Sequence, residues 1–554
     1  MTDTPFNIAE LLRQRAAGQP YIRAVVFPQG RDSSGRVTYG QLTFSQLERE
    51  SDNLARGLEQ AGVSRGRRTI LMVTPGLDFF VLTFALFKAG AVPVMVDPGM
   101  GLRRMLSCLQ SSHASAFIGI AKAHLLRKLY PKNFQGISTW ITVGRRWFWG
   151  GYTLKRLFMP GKQPYPLAKT RANETAAILF TTGSTGPAKG VIYTHANFRA
   201  QIEEIRRSFD IQPGEIDLPT FPLFALFDPA LGTTAVIPDM DFTRPAQVDA
   251  RKIIEAIDNQ GVTNMFASPA LLNRVGRYGK RHAIRLPSLK RVVSAGAPVY
   301  PDNIERFAGM LAQGCQIHTP YGASEAVPVT SIGSDEILQQ TRPLSEQGYG
   351  MCVGRALEGL TIRIISITDE PIETWSPDLE LPPGEIGEIT VCGDLVTRQY
   401  YNNPGADNLA KIMDQDRFWH RMGDLGWVDK KDRVWFCGRK THRVITGSDT
   451  LYTGPCESFF NRHPAVFRSA LVGIGPQKRQ KPVICIELDG TSEHVNKNEL
   501  RDQLLMLAAE NPLTAPIQTV LFHPSFPVDI RHNSKIFREK LADWAAAELS
   551  IDSR

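Results

Sequence analysis

The chain has little that would stabilise a secreted or membrane-spanning protein. Its seven cysteines, Cys108, Cys315, Cys352, Cys392, Cys437, Cys456 and Cys485, are odd in number, scattered, and contain no C-x-x-C pair. That argues against a disulfide framework or zinc site and for a reducing compartment. Long apolar runs are missing: the greasiest region, Leu77 to Val96, is interrupted by Lys88 and Pro93 and reads as helix then strand. Met1–Ile8 has neither the basic start nor the apolar middle of a leader, so a cytoplasmic location is expected. No Lys/Arg-rich block accompanies a nucleic-acid motif, and DNA or RNA is not an expected partner. Neither an internal repeat nor a low-complexity segment is evident. What remains is a 554-residue chain, 42% hydrophobic and 21% charged, with a formal charge of +9. This is an ordinary globular composition, long enough for several cores and suited to anionic ligands.

The most informative stretch is Thr181-Thr182-Gly183-Ser184-Thr185-Gly186-Pro187-Ala188-Lys189-Gly190. It follows Thr175–Phe180, short and apolar enough to be a buried strand. Glycines let backbone N–H groups converge on an anion, hydroxyls add donors, and Lys189 adds a mobile charge. Taken alone it could equally be a Gly/Ser/Thr turn between strands. The spacing matches neither a Walker A loop nor a dinucleotide fingerprint.

Upstream, the pattern predicts a helix over 8–17, a strand at Ala24–Phe27, and a helix after Leu42-Thr43-Phe44, N-capped by Ser45 with Glu48 closing a capping box. Strand, helix and strand over Arg68–Val73, Asp78–Ala89 and Val92–Val96 predict parallel pairing with right-handed crossovers. Residues 145–162 place Trp147, Phe148 and Trp149 beside Arg145 and Arg146. Such a stretch either docks on a membrane surface or partner, or packs its aromatics inward. Downstream, Phe221-Pro222-Leu223-Phe224-Ala225-Leu226-Phe227-Asp228 carries no charge before Asp228, and suits an acyl tunnel or a plain core strand and helix.

The 181–190 loop resembles the phosphate-binding signature of the adenylate-forming superfamily of acyl-CoA synthetases, fatty acyl-AMP ligases, adenylation domains and luciferases. That resemblance implies ATP, Mg²⁺, a carboxylate substrate, an acyl-AMP intermediate and released pyrophosphate. It also implies an α/β fold: a large N-terminal domain of mixed and parallel sheets flanked by helices (1–437, with a β-rich subdomain), a hinge at 438–441, and a small mobile α/β cap (442–554). Further motifs follow in the family's order. Ser294-Ala295-Gly296-Ala297-Pro298 is similar to the turn that lies along adenine. Tyr321-Gly322-Ala323-Ser324-Glu325 resembles the motif whose Tyr and Ala face adenine and α-phosphate, whose Ser donates to phosphate or carboxylate, and whose Glu holds Mg²⁺. Asp424 matches the ribose-binding aspartate, Arg439 a ribose or phosphate contact, and Lys535 the catalytic lysine that the cap carries. Thr185 and Lys189 stand with Glu325 and Lys535 as the residues expected to serve the chemistry.

Three departures from the family occur together: Ala225 where a gating His is usual, Thr441 at the pivot, and Thr450, Thr453 and Pro455 in the segment 447–457 that lines a thiol tunnel. That combination looks like the β-lactone synthetases of bacterial long-chain olefin biosynthesis. The resemblance implies a 2-alkyl-3-hydroxy fatty acid, adenylated and then closed by its own hydroxyl, with other enzymes of that pathway as partners. Phe221, Phe224, Ala225, Phe227, Asp228 and His195 are the expected pocket residues, with Asp228 and His195 as candidate bases; His195 could instead cap the helix after the loop. A long-chain fatty acyl-CoA ligase or fatty acyl-AMP ligase would share the first half-reaction. A non-catalytic acyl- or nucleotide-binding protein would have no use for Glu325, Asp424, Arg439 and Lys535 together.

Overall fold

The computed structural model describes residues 5–181, 188–489, 495–529 and 535–552. Two seven-stranded, largely parallel sheets form the body of the α/β fold. In the first, the strand order is Tyr152–Thr153, Thr139–Val143, Ala116–Ile120, Arg68–Met72, Val92–Val96, Thr175–Thr181, Lys189–Thr194. All its pairings are parallel except the last, in which Thr181 faces Lys189 in an antiparallel pair. The second runs Gln316–His318, Arg291–Ser294, Asn264–Ala267, Ile216–Pro219, Thr234–Val236, Arg23–Arg31, Val37–Thr43, antiparallel only in its final hairpin. Continuous β-branched and aromatic runs such as Arg68-Thr-Ile-Leu-Met and Ala116-Phe-Ile-Gly-Ile suit strands buried on both faces.

The helices Phe44–Gln60 and Leu77–Lys88 lie between these layers, and their Leu47, Leu54, Leu58, Phe80 and Leu82 share one core with Val25 and Ala235. The first of these helices is capped by Thr43, two residues before the expected Ser45. Thr43 receives the Gln46 N–H at 3.2 Å, and the Gln46 side chain accepts from the Thr43 N–H at 2.8 Å. Phe44 is wholly buried, which pulls the start back, and Glu48 serves another purpose. With Asp52 it holds the fully buried Lys88 at 2.7 Å, and it also accepts from Arg13 at 2.8 Å. The charge that interrupted the apolar run is thus a paired core cation, as a buried ammonium must be.

A third, antiparallel sheet of eight strands follows, from Tyr321–Ala323 through Val434–Arg439 and Arg417–Val428 to Thr361–Ile365. After Arg439 comes a three-stranded sheet, Val466–Ile474, Lys481–Leu488 and Val520–Phe522. Helices Thr453–Phe460, Lys497–Ala509 and Arg538–Asp552 cover it, with hydrophobic clusters drawn wholly from residues after 443.

Candidate active site

The site lies where the first sheet, the second sheet and the antiparallel sheet meet. Thr182, Gly183, Ser184, Thr185 and Gly186 lie outside the described residues; Thr181 and Lys189 are the facing ends of the hairpin they join. Lys189 Nζ stands 4.9 Å over the Tyr400 ring. Tyr400 is fixed there because residues 399–401 extend the Lys189–Thr194 strand: the Tyr401 N–H donates to the Gly190 carbonyl at 2.7 Å and the Ile192 N–H to the Gln399 carbonyl at 3.3 Å.

The Tyr400 hydroxyl donates to Glu325 Oε1 at 2.6 Å, so one side chain ties the loop's lysine to the expected metal carboxylate. The Glu325 backbone is pinned in turn by Thr397, whose N–H and Oγ1 reach its carbonyl at 2.8 and 3.1 Å, while Tyr193 donates to the Ser324 carbonyl. Beneath Tyr400 lies Lys411, buried, donating to the Thr397 carbonyl, its Nζ 5.8 Å from the Tyr400 ring and 5.3 Å from that of Phe418. Burial drives the Lys411 ammonium down to about 7, against the opposing pull of Glu325 and Asp407.

A second polar knot holds the next expected residues. Asp424 is buried on the strand Arg417–Val428 and accepts from Tyr321 at 2.7 Å and from Arg439 at 2.6 Å. The Asp424 carboxylate raises the Arg439 guanidinium further, and burial beside it lifts the Tyr321 phenol far above its ordinary range. A carboxylate oriented by two donors at charge-assisted distances is a preformed acceptor site. Gly322 is required here: a Cβ would come within 2.5 Å of the Ala326 carbonyl across the hairpin. The Gly296 turn leaves the strand Arg291–Ser294 with φ +94° at Gly296, followed by half-buried Ala297 and Pro298. Together these supply a flat, partly apolar ledge.

The segment 221–232 forms no strand. A turn of 3₁₀ helix at Phe224–Leu226 runs into a one-turn helix at Asp228–Leu231, ended by Gly232 in the left-handed region. Pro222 and Pro229 remove backbone donors and favour this broken path. Phe224 packs on Phe266 at 4.5 Å and on Phe221 at 5.2 Å, and Phe227 meets Phe198 at 6.3 Å, a half-buried phenylalanine cluster. Ala225, expected at the pocket wall, is instead completely buried in the core beside Ala230, Leu231 and Ala235.

The two candidate bases have different surroundings. His195 is buried with Nδ1 accepting the Ile8 N–H at 3.1 Å, and burial lowers its imidazole to about 4; it secures the N-terminal segment. It is not the helix cap either: Thr194 and Asn197 close a capping box there. Asp228 faces Asp217 of the strand Ile216–Pro219. Burial first, and the neighbouring Asp217 second, push its carboxyl well up, while Asp217 rises to about 8. Asp228 Oδ1 accepts from Thr233 at 3.1 Å, and its buried Oδ2 has no partner among the described residues. Burial thus holds Asp228 toward its neutral form.

Lys535 is exposed; its N–H meets Asp529 Oδ1 at 3.1 Å and its carbonyl accepts the Asp529 N–H at 3.0 Å. Near residues 438–441, Gly438 adopts φ +124°, and a Cβ there would strike the Thr453 hydroxyl at 2.1 Å. Lys440 donates to Glu388 and to the Thr368 carbonyl at 3.1 and 2.8 Å, while Thr441 is exposed. Sequence reasoning missed Tyr400, Lys411 and Asp217. The pair Tyr400-Tyr401 before Asn402-Asn403-Pro404 was a visible aromatic signal, but nothing near it in sequence points to Glu325.

The family model of AMP-binding enzymes matches residues 12–401. The chain is 47% identical to the olefin β-lactone synthetase of Xanthomonas campestris pv. campestris over 549 residues, covering 98% of each protein. It is also 47% identical to the olefin β-lactone synthetase of Stenotrophomonas maltophilia over 554 residues, covering 98% of this chain and 99% of that one. Among solved structures, the anthranilate CoA ligase AuaEII in complex with anthranoyl-AMP superposes at a TM-score of 0.80 and 18% identity, covering 99% of each chain, which bears on the fold alone. On the matched domain and the full-length relatives, this chain belongs to the AMP-binding enzymes and, within them, to the family of the olefin β-lactone synthetases.

Proposed function

We propose that the protein uses ATP to adenylate a 2-alkyl-3-hydroxy fatty acid, then closes the acyl adenylate to a β-lactone. The full-length identity to two olefin β-lactone synthetases carries the reading. In the first step a carboxylate oxygen attacks the α-phosphorus and pyrophosphate leaves. In the second, the substrate's own hydroxyl oxygen attacks the acyl carbon, the bond to AMP breaks so that AMP leaves with its electron pair, and the hydroxyl proton passes to solvent. The tethered nucleophile needs no thiol carrier, because its effective concentration is already high.

The work of the first step is charge neutralisation around a crowded phosphate. Glu325, linked to Lys189 through Tyr400, is the hard oxygen donor that Mg²⁺ prefers, with Tyr400 orienting it; when bound, the ion would neutralise phosphate charge. Asp424, aligned by Tyr321 and Arg439, is assigned the ribose hydroxyls, and the ledge at Gly296, Ala297 and Pro298 the adenine. Thr181–Gly186 and Lys189 are assigned the phosphates, with Ala323 and Ser324 nearby. Lys535 is assigned the developing charge, delivered by a cap comprising residues 442–554 that pivots at 438–441. The phenylalanine cluster of Phe221, Phe224 and Phe227 is assigned the alkyl chains, and Asp228, whose buried Oδ2 is unpartnered among the described residues, a hydrogen bond to the substrate. A cytoplasmic enzyme accords with these roles.

Incubating the enzyme with ATP and a 2-alkyl-3-hydroxy acid, with and without CoA, tests the proposal by product mass. The expected product is lighter than the substrate by one water and independent of CoA. A CoA thioester formed as fast as AMP is released would return the chain to the acyl-CoA ligases.

A further inference from the structure

Between Asp97 and Glu174 the chain has no acidic residue. At the overall frequency of 55 acids in 554 residues, the 76 residues from 98 to 173 would hold seven or eight. They carry 13 Lys and Arg, which leaves 51 basic against 55 acidic side chains elsewhere. The positive charge of the whole molecule therefore resides in one segment, and the rest is slightly acidic.

The fold spreads residues 102–149 of this segment largely over one surface. The helices Leu102–Ser111 and Ala121–Leu129 follow successive parallel strands that step in the same direction across the first sheet. Right-handed crossovers of the same direction put both helices on one face. They cover it with a single layer, with Met105, Leu106, Leu109, Ala123 and Phe134 turned onto the sheet. The outer side of that layer is exposed and includes Arg103, Arg104 and Lys128. The loop after Thr139–Val143 continues it at the sheet edge, where Arg145 and Arg146 are also exposed; Lys155 and Arg156 follow on the helix Leu154–Leu157, which packs with Phe44–Gln60 on the other face. Among the described residues none of Arg103, Arg104, Lys128, Arg145 and Arg146 forms an ion pair, whereas Arg65 is matched by Glu174. The phosphate-loop strands lie at the opposite edge of the same sheet.

Apolar groups accompany the charge. Trp149 is only 2% exposed: its indole N–H donates to Thr142 Oγ1 at 3.0 Å and its ring stacks on His124 at 5.3 Å. That buried plug fixes the loop so that its neighbours project, Trp147 at 49% and Phe148 at 76% exposure. Of the two sequence readings of this stretch, Trp149 follows the inward one and Trp147 and Phe148 the outward one. Leu102, Leu129, Tyr130 and Tyr152 are exposed in the same segment, so it holds six of the sixteen large exposed hydrophobics among the described residues.

We infer that this face is a docking surface for an anionic lipid bilayer. Lys and Arg next to a negatively charged leaflet each add about fivefold to the affinity, while Trp, Tyr and Phe favour the headgroup region, where an apolar ring can be buried and a polar edge kept wet. Neither feature alone anchors a protein firmly, but together they give the two signals that stable and reversible attachment needs. No helix among the described residues is long and apolar enough to cross a membrane, so the contact is peripheral. A nucleic acid would match the charge, but it would not account for the largely exposed Phe148 and Leu129.

Co-sedimentation of the full-length protein with vesicles tests the inference, using phosphatidylglycerol with phosphatidylethanolamine against phosphatidylcholine alone. The expected result is pelleting with the anionic vesicles only, weakened by salt. Arg145→Ala with Arg146→Ala should bind about 25-fold more weakly. Trp147→Ser with Phe148→Ser, conservative for the fold because Trp149 is kept, should bind more weakly at every salt concentration. ATP-dependent pyrophosphate release from a dispersed acid should be unchanged in both variants. Equal binding to both vesicle types, no pelleting of the wild type, or undiminished binding by both variants would overturn the inference. So would a concentration-dependent dimer that the arginine variant abolishes in the absence of vesicle binding, which would assign the face to a second copy of the chain. The readout is binding, so failure here leaves the lactone reading untouched.

Discussion

At the proposed nucleotide end, polar groups are tied to each other before any ligand arrives. Asp424 accepts two hydrogen bonds at 2.6 and 2.7 Å, and Glu325 accepts one at 2.6 Å from a tyrosine that also meets Lys189. At the proposed acyl end the described side chains are mostly rings, and the two carboxyls beside them, Asp228 and Asp217, are pushed toward the neutral form by burial, with Asp228 Oδ2 unpartnered among the described residues. The difference separates two tasks. Stabilising charge around phosphorus demands aligned donors and acceptors, which lose rate steeply when one is removed. Holding alkyl chains demands area and shape, which tolerate substitution better. Members of this family can thus keep one end while the other acquires a different acceptor.

The comparison predicts where damage is largest. Glu325→Gln and Lys535→Ala should each lower substrate-dependent pyrophosphate release by about 10²–10³ while folding normally, as read by circular dichroism and a pyrophosphate assay. Near-wild-type release from both would remove the assignment of the polar end. Tyr400→Phe, which keeps the ring under Lys189 but deletes the donor to Glu325, should cost about tenfold and shift the Mg²⁺ dependence to higher concentration. An unchanged Mg²⁺ titration would make Tyr400 a packing residue only.

The acyl end should show itself through pH. The Asp217 carboxyl is raised to about 8 against an ordinary value near 4, so across that window the folded state holds the extra proton. Its contribution is then fully present at low pH and is lost as pH rises from about 4 to 8. Asp217→Asn, which cannot ionise, should therefore gain melting temperature relative to wild type as pH rises through that range. A difference independent of pH would show that the Asp217 carboxyl is not held protonated. The smallest effect concerns the scaffold: Thr194→Ala removes a capping box and should cost about 1 kcal/mol in a denaturant titration with activity largely kept.

The polar end was the more legible in sequence because its residues lie in short motifs with fixed chemistry. Tyr321, Asp424 and Arg439 come from three separate strands, yet each motif named its own residue, and the antiparallel pairing of Asp424 with Arg439 brings two of them together. Tyr400 and Lys411 were not legible: their roles come from an isolated bridge to Val191 and from burial, neither of which leaves a local pattern. The acyl end misled for a related reason. An apolar run reads alike as tunnel or core, and Ala225 went to the core; His195 and Asp228 have suitable chemistry, but their neighbours, Ile8 and Asp217, are distant in sequence. The secondary structure of the sheets was read closely, whereas caps were misplaced by one or two residues because burial of Phe44 and His195 fixed the helix starts.

The central claim is that the acceptor is the substrate's own hydroxyl. Mass spectrometry of single-turnover reactions, comparing a 2-alkyl-3-hydroxy acid with the same acid lacking the hydroxyl, tests it most directly. The account predicts AMP release with a product one water lighter from the first and an adenylate that persists on the enzyme from the second, with CoA changing neither. Equal AMP release from both acids, accompanied by a CoA thioester, would contradict it.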